Sequence, residues 1–271
     1  MDKAIKQPVV LTIAGFDPSG GAGVLADIKT FAAFGCYGLA AVTSLTFQNT
    51  QQVVGAANQS AATVRQQIAP LFDDFEISAI KTGMLPTVEI IREVAGILRA
   101  NAVPVVVVDP VVTSTTGFDL VDDLAVDALA SDLFPQASLV TPNIAEAQRL
   151  TGIDIKDRVQ TERAAEAILK MGCRAVLITG GDANSDLATD LLLDAQGTTV
   201  FSTERIKSKQ THGTGCTMAS ALACLLARGC SLLESVPIAK QYIAQAIASA
   251  TGIGRGNGPL NHFPPAFRDR R

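Results

Sequence analysis

The sequence predicts an α/β fold in which a mostly parallel central sheet is covered by helices on both faces. Short runs rich in β-branched residues, such as VPVVVVDP, alternate with Ala-rich stretches of helical periodicity. The strands are hydrophobic throughout, as strands are when both faces of a parallel sheet are buried. The 271 residues, 48% of them hydrophobic, suit one domain over residues 1–271 with a single large core.

The first half of the chain follows this alternation without interruption. The predicted elements are the strand VVLTIAG, a helix over residues 20–34, the strand YGLAAVTS, a helix from about Ala61, the strand ISAIKTG and a helix over residues 87–101. Since each strand is followed by a helix, neighbouring strands are expected to run parallel.

The second half continues the alternation and then changes it. Next come the strand VPVVVVDP, a helix near residues 122–131, the strand ASLVTPN, a helix near residues 162–171 and the strand CRAVLITGG. Residues 188–206 read as two strands joined at DAQG, which predicts an antiparallel hairpin at the sheet edge. Two long helices, over about residues 215–228 and 232–252, follow the hairpin.

Charge and composition argue against several classes of partner. The chain has 22 Lys and Arg against 26 Asp and Glu, a net charge of −4, and therefore no basic footprint for nucleic acid. The apolar run near the N-terminus is too short for a membrane span and leads into a Gly-rich turn, so we expect a cytoplasmic protein. Five cysteines without a CxxC pair, with only two histidines, give a zinc site little support. A small molecule is the expected partner.

Ligands of open α/β sheets bind beyond the carboxyl ends of the strands, so the segments after the strands are the candidate site. These segments are GFDPSGGAG, SLTFQNT, KTGM, DPVV, TPNIAE, TGGD and HGTGC. The first, residues 15–23, could aim backbone N–H groups at an anion or let a ligand approach closely. The alternative is a tight turn with Ser19 as N-cap. A P-loop is excluded, because Gly15 and Gly20 are followed by Gly21 rather than lysine.

Three polar residues after strands are candidate cation ligands. Asn143 and Glu146 lie three residues apart at a helix start, so both side chains can face a hydrated Mg²⁺ ion. The same spacing suits a capping box, in which each side chain accepts from the other residue's backbone N–H. Asp109 follows an all-valine strand, where a carboxylate needs a partner or a cation, although it could also cap the following turn.

The GTGC turn (Gly213, Thr214, Gly215 and Cys216) stands where a polar stretch becomes a helix. Consecutive backbone N–H groups at the positive end of a helix suit an oxyanion or a phosphoryl group in transfer. The same helix end is expected to lower the pKa of the Cys216 thiol, which could then be a thiolate or accept a proton. The alternative for Cys216 is a buried packing role, since cysteine is among the most buried residue types.

Two further residues could recognise a ring. Gln48 follows SLTF and carries both an amide donor and a carbonyl acceptor, a combination that could pair with the edge of a heterocycle. Met84, beside KTG, could give such a ring an adaptable apolar wall. A plain turn residue and a core methionine are the alternatives.

The motifs together carry a family resemblance over nearly the whole chain. The stretches AGFDPSGGAGVLADIKTF, SLTFQNT, IKTGML, DPVV, LVTPNIAEAQRLTG, THGTGCTMASALA and GIGRGNGPLNHF resemble the hydroxymethylpyrimidine/hydroxymethylpyrimidine phosphate kinases of thiamine biosynthesis, in the ribokinase-like superfamily. The resemblance implies a three-layer α/β/α sandwich and a homodimer. It also implies transfer of the ATP γ-phosphoryl group to 4-amino-5-hydroxymethyl-2-methylpyrimidine, and then to the phosphate of the monophosphate.

The resemblance also implies a role for each motif residue. On the pyrimidine side, Gln48 would bind the ring edge, with Gly15, Asp17 and Met84 lining the pocket. On the nucleotide side, Asp109 and Glu146 would hold Mg²⁺ directly or through water, with Asn143, Thr179 and Gly181 near the phosphates of ATP. The GTGC turn would form the anion hole, and Cys216 would stand where sugar kinases of the superfamily keep a catalytic aspartate and would accept the substrate proton.

The chain departs from the family pattern at two lysines. Family members commonly read VKGGH where this chain has ITGGDAN, with Thr179 and Asp182, and DPVMxxKSG where it has DPVVTSTTG, with Ser114 and Thr115. The candidate replacement cations are Lys81, Lys207, Lys209 and Arg255. Two alternatives therefore stand beside the pyrimidine kinase: a pyridoxal/pyridoxine kinase of the same cysteine-bearing subgroup, and a pyrimidine-binding protein that has lost catalysis.

Overall fold

One mixed sheet organises the fold, and the computed structural model describes residues 7–112, 121–180 and 185–268 around it. Within those ranges the strands are β1 (Val9–Phe16), β2 (Tyr37–Gln48), β3 (Val53–Asn58), β4 (Ile77–Thr82), β5 (Val105–Val108), β6 (Leu139–Val140), β7 (Val176–Ile178), β8 (Leu187–Asp194) and β9 (Gly197–Glu204). Their spatial order is β3-β2-β1-β4-β5-β6-β7-β8-β9. The sequence order is broken where β1 lies between β2 and β4, and a ligand crevice is expected at such a reversal.

The centre of the sheet is parallel and both of its edges are antiparallel. Six strands that are neighbours in the sheet, in the order β2-β1-β4-β5-β6-β7, pair in parallel, which confirms the predicted architecture. The hairpin predicted over residues 188–206 is also confirmed: β8 and β9 pair antiparallel and turn between Asp194 and Gly197. The antiparallel strand β3 at the other edge was not predicted. Its sequence VVGAAN is mostly exposed, so no periodic hydrophobic pattern marks it.

The helices cover both faces of the sheet. They are α1 (Gly23–Ala33), α2 (Ala61–Asp74), α3 (Val88–Ala100), α4 (Asp123–Ala128), α5 (Ile144–Thr151), α6 (Arg158–Leu169), α7 (Thr214–Ala227), α8 (Leu232–Ala248) and α9 (Pro265–Arg268). One buried cluster joins the sheet to α2, α3, α4 and α6, and a second joins its other face to α1, α7 and α8. These two apolar layers confirm the three-layer sandwich. No helix in the described ranges is long and apolar enough to cross a membrane.

Two predicted helix starts and one predicted helix end need correction. Helix α1 begins at Gly23 rather than residue 20, and its N-cap is Ala22, whose side chain makes no capping bond. Ser19 is therefore not the N-cap; its backbone N–H and hydroxyl instead donate to Asp17. Helix α6 begins at Arg158 rather than near residue 162, and a capping box formed by Asp157 with Gln160 marks that start. The third helix, α4, begins at Asp123 but continues as a π-helix over Leu129–Leu133, beyond the predicted end.

Helix α7 links the core to the candidate site. It packs against α1, α8, β4 and β5, and its residues Met218 to Leu225 are buried. Small side chains, with four alanines and Ser220 among its members, let the helix lie close to the sheet and to its neighbours. The N-terminus of α7 is thereby held beside the carboxyl ends of β1, β4 and β5.

Candidate active site

A cavity of about 170 Å³ opens beyond the carboxyl ends of β1, β4 and β5. The predicted site residues that line it are Gly15, Asp17, Gln48, Met84, Asp109, Asn143, Glu146, Thr179, Gly213, Thr214, Gly215 and Cys216. Residues from seven distant segments thus meet at one place, as the strand-end rule predicts. Gly181, Asp182, Ser114 and Thr115 lie outside the described residues.

One wall of this cavity is apolar and close-fitting. A Cβ atom on Gly15 would lie 3.1 Å from the Met84 sulfur, so glycine at this position lets the thioether approach the backbone. Met84 is buried, and its carbonyl accepts a 2.6 Å hydrogen bond from the Thr43 hydroxyl. The half-buried Gln48, at the end of β2, also lines this cavity. An apolar cavity of about 150 Å³ holds benzene, so this one suits a single-ring ligand.

The first glycine loop, residues 15–23, is organised around Asp17. The Asp17 carboxylate accepts from the backbone N–H groups of Ser19 (2.8 Å), Gly21 (3.2 Å) and Ala22 (2.9 Å), from the Ser19 hydroxyl, and from His212 Nε2 at 2.8 Å. Burial opposes ionisation, but the bonds from His212 and Ser19 outweigh it and lower the pKa of Asp17 to about 2. Asp17 lines the cavity as an ionised group whose oxygens are bonded to protein donors.

The GTGC turn forms another part of the cavity wall. Gly213 is the N-cap of α7 with a φ of 80°, a left-handed conformation that favours glycine. The Thr214 N–H does not point at the cavity as a free donor, because it bonds the Thr211 carbonyl at 3.2 Å. The N–H groups of Gly215 and Cys216 belong to the first turn of α7 and have no partner within the helix. Those two amides are the available donors of this turn.

A buried lysine lies beneath the cavity. Lys81 is fully buried, and its Nζ lies 3.1 Å from both carboxylate oxygens of Asp27 and 3.4 Å from Asp109 Oδ2. Burial opposes the charged form, but the charges of Asp27, Cys216 and Asp109 outweigh it and raise the pKa of Lys81. Asp27 also accepts 2.6 Å bonds from the hydroxyls of Thr12 and Ser220. Lys81 is thus a fixed cation behind Asp109 rather than a side chain that lines the cavity.

The expectation of a low pKa for Cys216 is wrong for the unliganded protein. Burial raises the pKa of the Cys216 thiol, and the carboxylates of Asp109 and Asp27 raise it further. Lys81 and a hydrogen bond from the Gly23 backbone lower it, but by less. The helix N-terminus is therefore outweighed by loss of water and by two nearby negative charges.

Two buried carboxyl groups of the cavity have raised pKa values, so a cation bound beside them would stabilise their ionised forms. Burial raises the pKa of Asp109, while Lys81 opposes the shift. Burial, followed by the charge of Asp109, raises the pKa of Glu146 to about 8. Asp109 Oδ2 is buried and accepts no hydrogen bond of good geometry from the described residues, although Lys81 lies 3.4 Å away. Asp109 Oδ2 is therefore a buried oxygen whose nearest cation, Lys81, lies beyond good hydrogen-bond distance.

This pair fits the needs of Mg²⁺. The ion prefers oxygen ligands, keeps several waters and is commonly held by one or two carboxylates. Glu146 also closes a capping box with Asn143, with reciprocal bonds of 2.9 Å, so that alternative is confirmed. Because Glu146 has a second acceptor oxygen, capping and a water-mediated contact are compatible. Within the described ranges, no group of three or more His, Cys, Asp or Glu could hold a metal without such waters.

A second cavity, of about 360 Å³, adjoins the first. The residues that line both are Asn143, Thr179, Thr211, Thr214 and Gly215. Its remaining walls come from β8, β9 and α8. There the buried Lys240 bonds Asp190 at 2.6 Å, and Asp190 also accepts from the Gly180 N–H at 3.0 Å. The two cavities therefore meet at the start of α7.

Family comparisons identify the chain at this point. The sequence profile of the phosphomethylpyrimidine kinase family matches residues 17–261, which include the second cavity and all lining residues of the first except Ala14, Gly15 and Phe16. The chain belongs to this family. The thiamine biosynthesis bifunctional protein ThiED of Geobacter sulfurreducens is 45% identical over 263 residues, which are 96% of this chain and 54% of that protein. The hydroxymethylpyrimidine/phosphomethylpyrimidine kinase of Synechococcus elongatus is 42% identical over 261 residues, covering 96% of this chain and 99% of that enzyme.

Solved structures give the same answer at the level of the fold. The phosphomethylpyrimidine kinase of Clostridium difficile 630 superimposes with a TM-score of 0.79 at 37% identity, and the match covers 89% of this chain and 100% of that chain. The pyridoxal kinase of Staphylococcus aureus in complex with AMP-PCP and pyridoxal gives a TM-score of 0.86 at 33% identity, with 95% and 94% covered. The ribokinase-like fold that the resemblance implies is confirmed by these neighbours.

The remaining candidate cations of this family member lie at the rim of the site. Lys207 pairs with Asp186 at 3.4 Å, and both side chains are exposed. The Lys209 carbonyl accepts from the Gly258 N–H, and the exposed Arg255 donates its backbone N–H to Thr50. None of the three lines either cavity within the described residues.

Sequence reasoning missed one residue of the site, His212. It stands directly before the GTGC turn, is buried, and bonds Asp17 across 195 positions of sequence. The only signal was its place in the stretch HGTGC, because a lone histidine carries no spacing that predicts its partner. Lys81 was expected as a candidate replacement cation, but its pairing with Asp27 was not, since a buried charge pair has no periodicity.

Proposed function

We propose that the protein is an ATP-dependent kinase that phosphorylates 4-amino-5-hydroxymethyl-2-methylpyrimidine on its hydroxymethyl group and then phosphorylates the resulting monophosphate. The observation that carries the proposal is the meeting of two cavities at the GTGC turn, in a chain of the phosphomethylpyrimidine kinase family. The smaller cavity suits a single ring, and the larger one suits a nucleotide. Phosphoryl transfer needs these two ligands to be in line across one anion-binding point.

The acceptor would lie between the apolar wall and Gln48. In this arrangement Gly15 and Met84 contact the ring face, and the amide of Gln48 pairs with the ring edge. The hydroxymethyl oxygen is then directed at the start of α7, where Cys216 lines the cavity. The Gly215 and Cys216 N–H groups face the phosphoryl group in transfer and stabilise the charge that develops on it.

The nucleotide would lie in the larger cavity, with its phosphates toward Asn143, Thr179 and Gly181. Asp109 and Glu146 would hold Mg²⁺, which neutralises phosphate charge when bound. Lys81 stays beneath this cluster and balances the carboxylate charge that Asp109 brings into the site. The Gly180 N–H, which lies in the wall of this cavity, donates to Asp190 at 3.0 Å.

Cys216 would accept the proton of the acceptor hydroxyl. Its raised pKa in the unliganded protein means that the thiolate has to be favoured on assembly of the complex. Neutralisation of Asp109 would remove one cause of that raised pKa. The transition state of phosphoryl transfer is loose, so the hydroxyl proton leaves late and a modest base suffices.

The test is ADP release by purified protein with Mg-ATP, with hydroxymethylpyrimidine, its monophosphate and pyridoxal as separate acceptors under identical conditions. We expect turnover of both pyrimidines to exceed that of pyridoxal. Turnover of the first pyrimidine without the second would limit the proposal to a single phosphorylation. Affinity for the pyrimidine without ADP release would instead favour the binding protein that has lost catalysis.

Pyridoxal phosphorylation is the second candidate function. It is favoured by the similarity to the S. aureus pyridoxal kinase in complex with AMP-PCP and pyridoxal, which covers 95% of this chain. Pyridoxal is also a hydroxymethyl-substituted aromatic ring, so the same cavity could hold it. A kcat/KM for pyridoxal above that for both pyrimidines would replace the first proposal with this one.

A homodimer, which the family resemblance implies, and a cytoplasmic location are part of the same proposal. The edge formed by β2 and β3 exposes Leu45, Phe47 and Val54, an apolar group of the kind that occurs at protein interfaces. Light scattering at micromolar concentration gives the mass in solution. The expected mass is twice 28.2 kDa, and a monomer at that concentration would contradict the dimer.

A further inference from the structure

The first glycine loop and the GTGC turn are in direct contact. A Cβ atom on Gly213 would overlap the carbonyl oxygen of Gly21, and a Cβ on Gly21 would overlap the ring of His212. The two segments are nearly 200 residues apart in the chain, and glycine at both positions lets their backbones approach. One of these segments lines the acceptor side of the cavity, and the other supplies its anion-binding amides.

Polar bonds join the two segments across this contact: the Gly23 backbone N–H donates to the Cys216 thiol, and His212, directly before the GTGC turn, bonds Asp17. His212 Nε2 lies 2.8 Å from Asp17 Oδ2, and both side chains are buried. Because the pKa of Asp17 is about 2, its carboxylate is ionised at neutral pH and can only accept. His212 Nε2 therefore donates, and the bond is charge-assisted.

Each end of this bond is rigid. Asp17 is fixed by three backbone N–H groups and the Ser19 hydroxyl of its own loop. The His212 backbone donates to the Gly258 carbonyl at 3.1 Å and pairs with Pro259. Since neither end can move alone, a change in the bond moves the start of α7 relative to the first glycine loop.

We propose that His212 is a positioning residue, which sets the distance between the acceptor and the GTGC amides through its bond to Asp17. The inference deepens the proposed function and rests on it, because it concerns the same phosphoryl transfer. The family comparisons assign no role to either residue. A displacement of about 1 Å between reacting groups can lower a rate about 10²-fold. Loss of the His212–Asp17 bond should lower kcat rather than raise KM, since the residues that bind each ligand stay in place.

The experiment compares His212→Leu with His212→Gln. Leucine removes the donor, whereas the amide nitrogen of glutamine extends about as far from the backbone as His212 Nε2. We expect His212→Leu to lower kcat about 10²-fold, with KM for the acceptor and for ATP within about threefold of the wild type. His212→Gln should recover at least a tenfold part of this loss. Recovery by a side chain of different shape identifies the hydrogen bond as the cause.

Asp17→Asn tests the other end of the bond. It replaces an acceptor oxygen by a donor, so we expect a kcat loss similar to that of His212→Leu. If the two residues act through one bond, the double variant should lose little more than either single variant. Additive losses in kcat would show separate roles and would overturn the inference.

Val94→Ala is the control for general destabilisation. Val94 is buried in α3, in the apolar layer on the other face of the sheet. At a temperature well below its Tm, we expect this variant to keep kcat even if its Tm falls as far as that of His212→Leu. An equal kcat loss in Val94→Ala would reduce His212 to a structural residue and overturn the inference.

Two other outcomes would also contradict it. A rise in acceptor KM alone, with kcat retained, would make His212 a direct substrate contact. An active wild type with full activity in His212→Leu would refute this inference and leave the proposed function standing. Absence of wild-type turnover with all three acceptors would refute both.

Discussion

At the scale of single residues, environment decides chemistry more strongly than position in the chain. The start of α7 is a place where a thiol is expected to ionise readily, yet the pKa of Cys216 is raised. Burial and the carboxylates of Asp109 and Asp27 raise it, and both depend on the tertiary fold rather than on the local sequence. The segment GTGC could be selected from the sequence, but the protonation of its cysteine could not.

Cys216 gives the first residue-scale prediction. Replacement by alanine removes the proposed proton acceptor, so kcat should fall about 10²-fold or more, while KM for the pyrimidine changes little. Steady-state kinetics with saturating Mg-ATP measures both values. Cys224→Ala, a change of the same type at a buried position of the same helix, should retain kcat. Equal kcat in Cys216→Ala and the wild type would remove this residue from the mechanism.

Gln48 gives the second residue-scale prediction. Gln48→Ala should raise KM for the pyrimidine about tenfold, because one hydrogen bond to a ligand contributes on the order of 1.4 kcal/mol. KM for ATP should stay the same, since Gln48 lines only the smaller cavity. The matched control is Gln52→Ala, at an exposed position just before β3. An unchanged pyrimidine KM in Gln48→Ala would contradict the contact.

The polar residues of the site illustrate what sequence reasoning can reach. Asn143 and Glu146 could be found because their spacing has a local meaning, and both the capping box and a place in the cavity are observed. His212 could not, and Lys81 was expected only as a candidate replacement cation, because the partners Asp17 and Asp27 are fixed only by the tertiary fold. Local geometry is readable from spacing, whereas long-range charge pairing is not.

At the scale of elements, the junction between the first glycine loop and α7 sets a demand on backbone shape. Gly213→Ala should lower both kcat and stability, because its φ of 80° is strained for alanine and its Cβ would overlap Gly21. Gly229→Ala, at a φ of 87° with open space around it, shares the strain but not the overlap. It should cost about 1–2 kcal/mol of stability and leave kcat unchanged.

Chemical denaturation and kcat, both measured at about 25 °C, check this pair of variants. The informative quantity is the difference between them, since the strain of a positive φ is common to both. If Gly213→Ala kept full kcat with only the stability loss of Gly229→Ala, the close contact with Gly21 would not matter for the reaction.

Element boundaries followed from the sequence where hydrophobic patterns or turns were strong. The DAQG turn fixed the β8–β9 hairpin, and the long apolar run of α7 fixed that helix. Strand β3 and the start of α6 were missed for different reasons. Side chains of β3 are mostly exposed, while the capping box of Asp157 with Gln160 lies before the apolar positions of α6 begin.

At the scale of the whole molecule, the fold class follows from composition and alternation. Strands such as β5, four valines with three of them buried, can only be central strands of a covered sheet. The order in which these strands pair could not be predicted from the sequence, because apolar strands of similar length show no pattern that identifies their neighbours in the sheet. The family resemblance implied the three-layer sandwich, but the strand order comes from the structure.

Acid sensitivity is a whole-molecule prediction that depends on His262. Burial, with a smaller effect of Lys29, lowers the pKa of His262 to about 4, against 6.5 for an ordinary histidine. Between these pH values the unfolded chain binds a proton that the folded protein does not. Stability from this group is therefore complete above pH 6.5 and falls as pH decreases to 4, by about 1.4 kcal/mol per pH unit.

Urea denaturation of the wild type and of His262→Gln, at several pH values from 7 to 4, measures this linkage. The difference between the two unfolding free energies isolates His262 from other titrating groups. We expect the wild type to lose stability relative to the variant as pH falls through this window. A difference that is constant with pH would mean that His262 has an ordinary pKa in the folded protein.

The two cavities share five lining residues, among them Thr214 and Gly215 at the start of α7, and this has a kinetic consequence. Until an alcohol arrives, a bound triphosphate faces a chamber that water can enter. The acceptor ring then excludes water as well as reacting, because it displaces water, the competing nucleophile, from the space beside Cys216. Coupling of nucleotide cleavage to product formation depends on how completely the ring fills that chamber, so an undersized acceptor would raise futile hydrolysis even where it binds well.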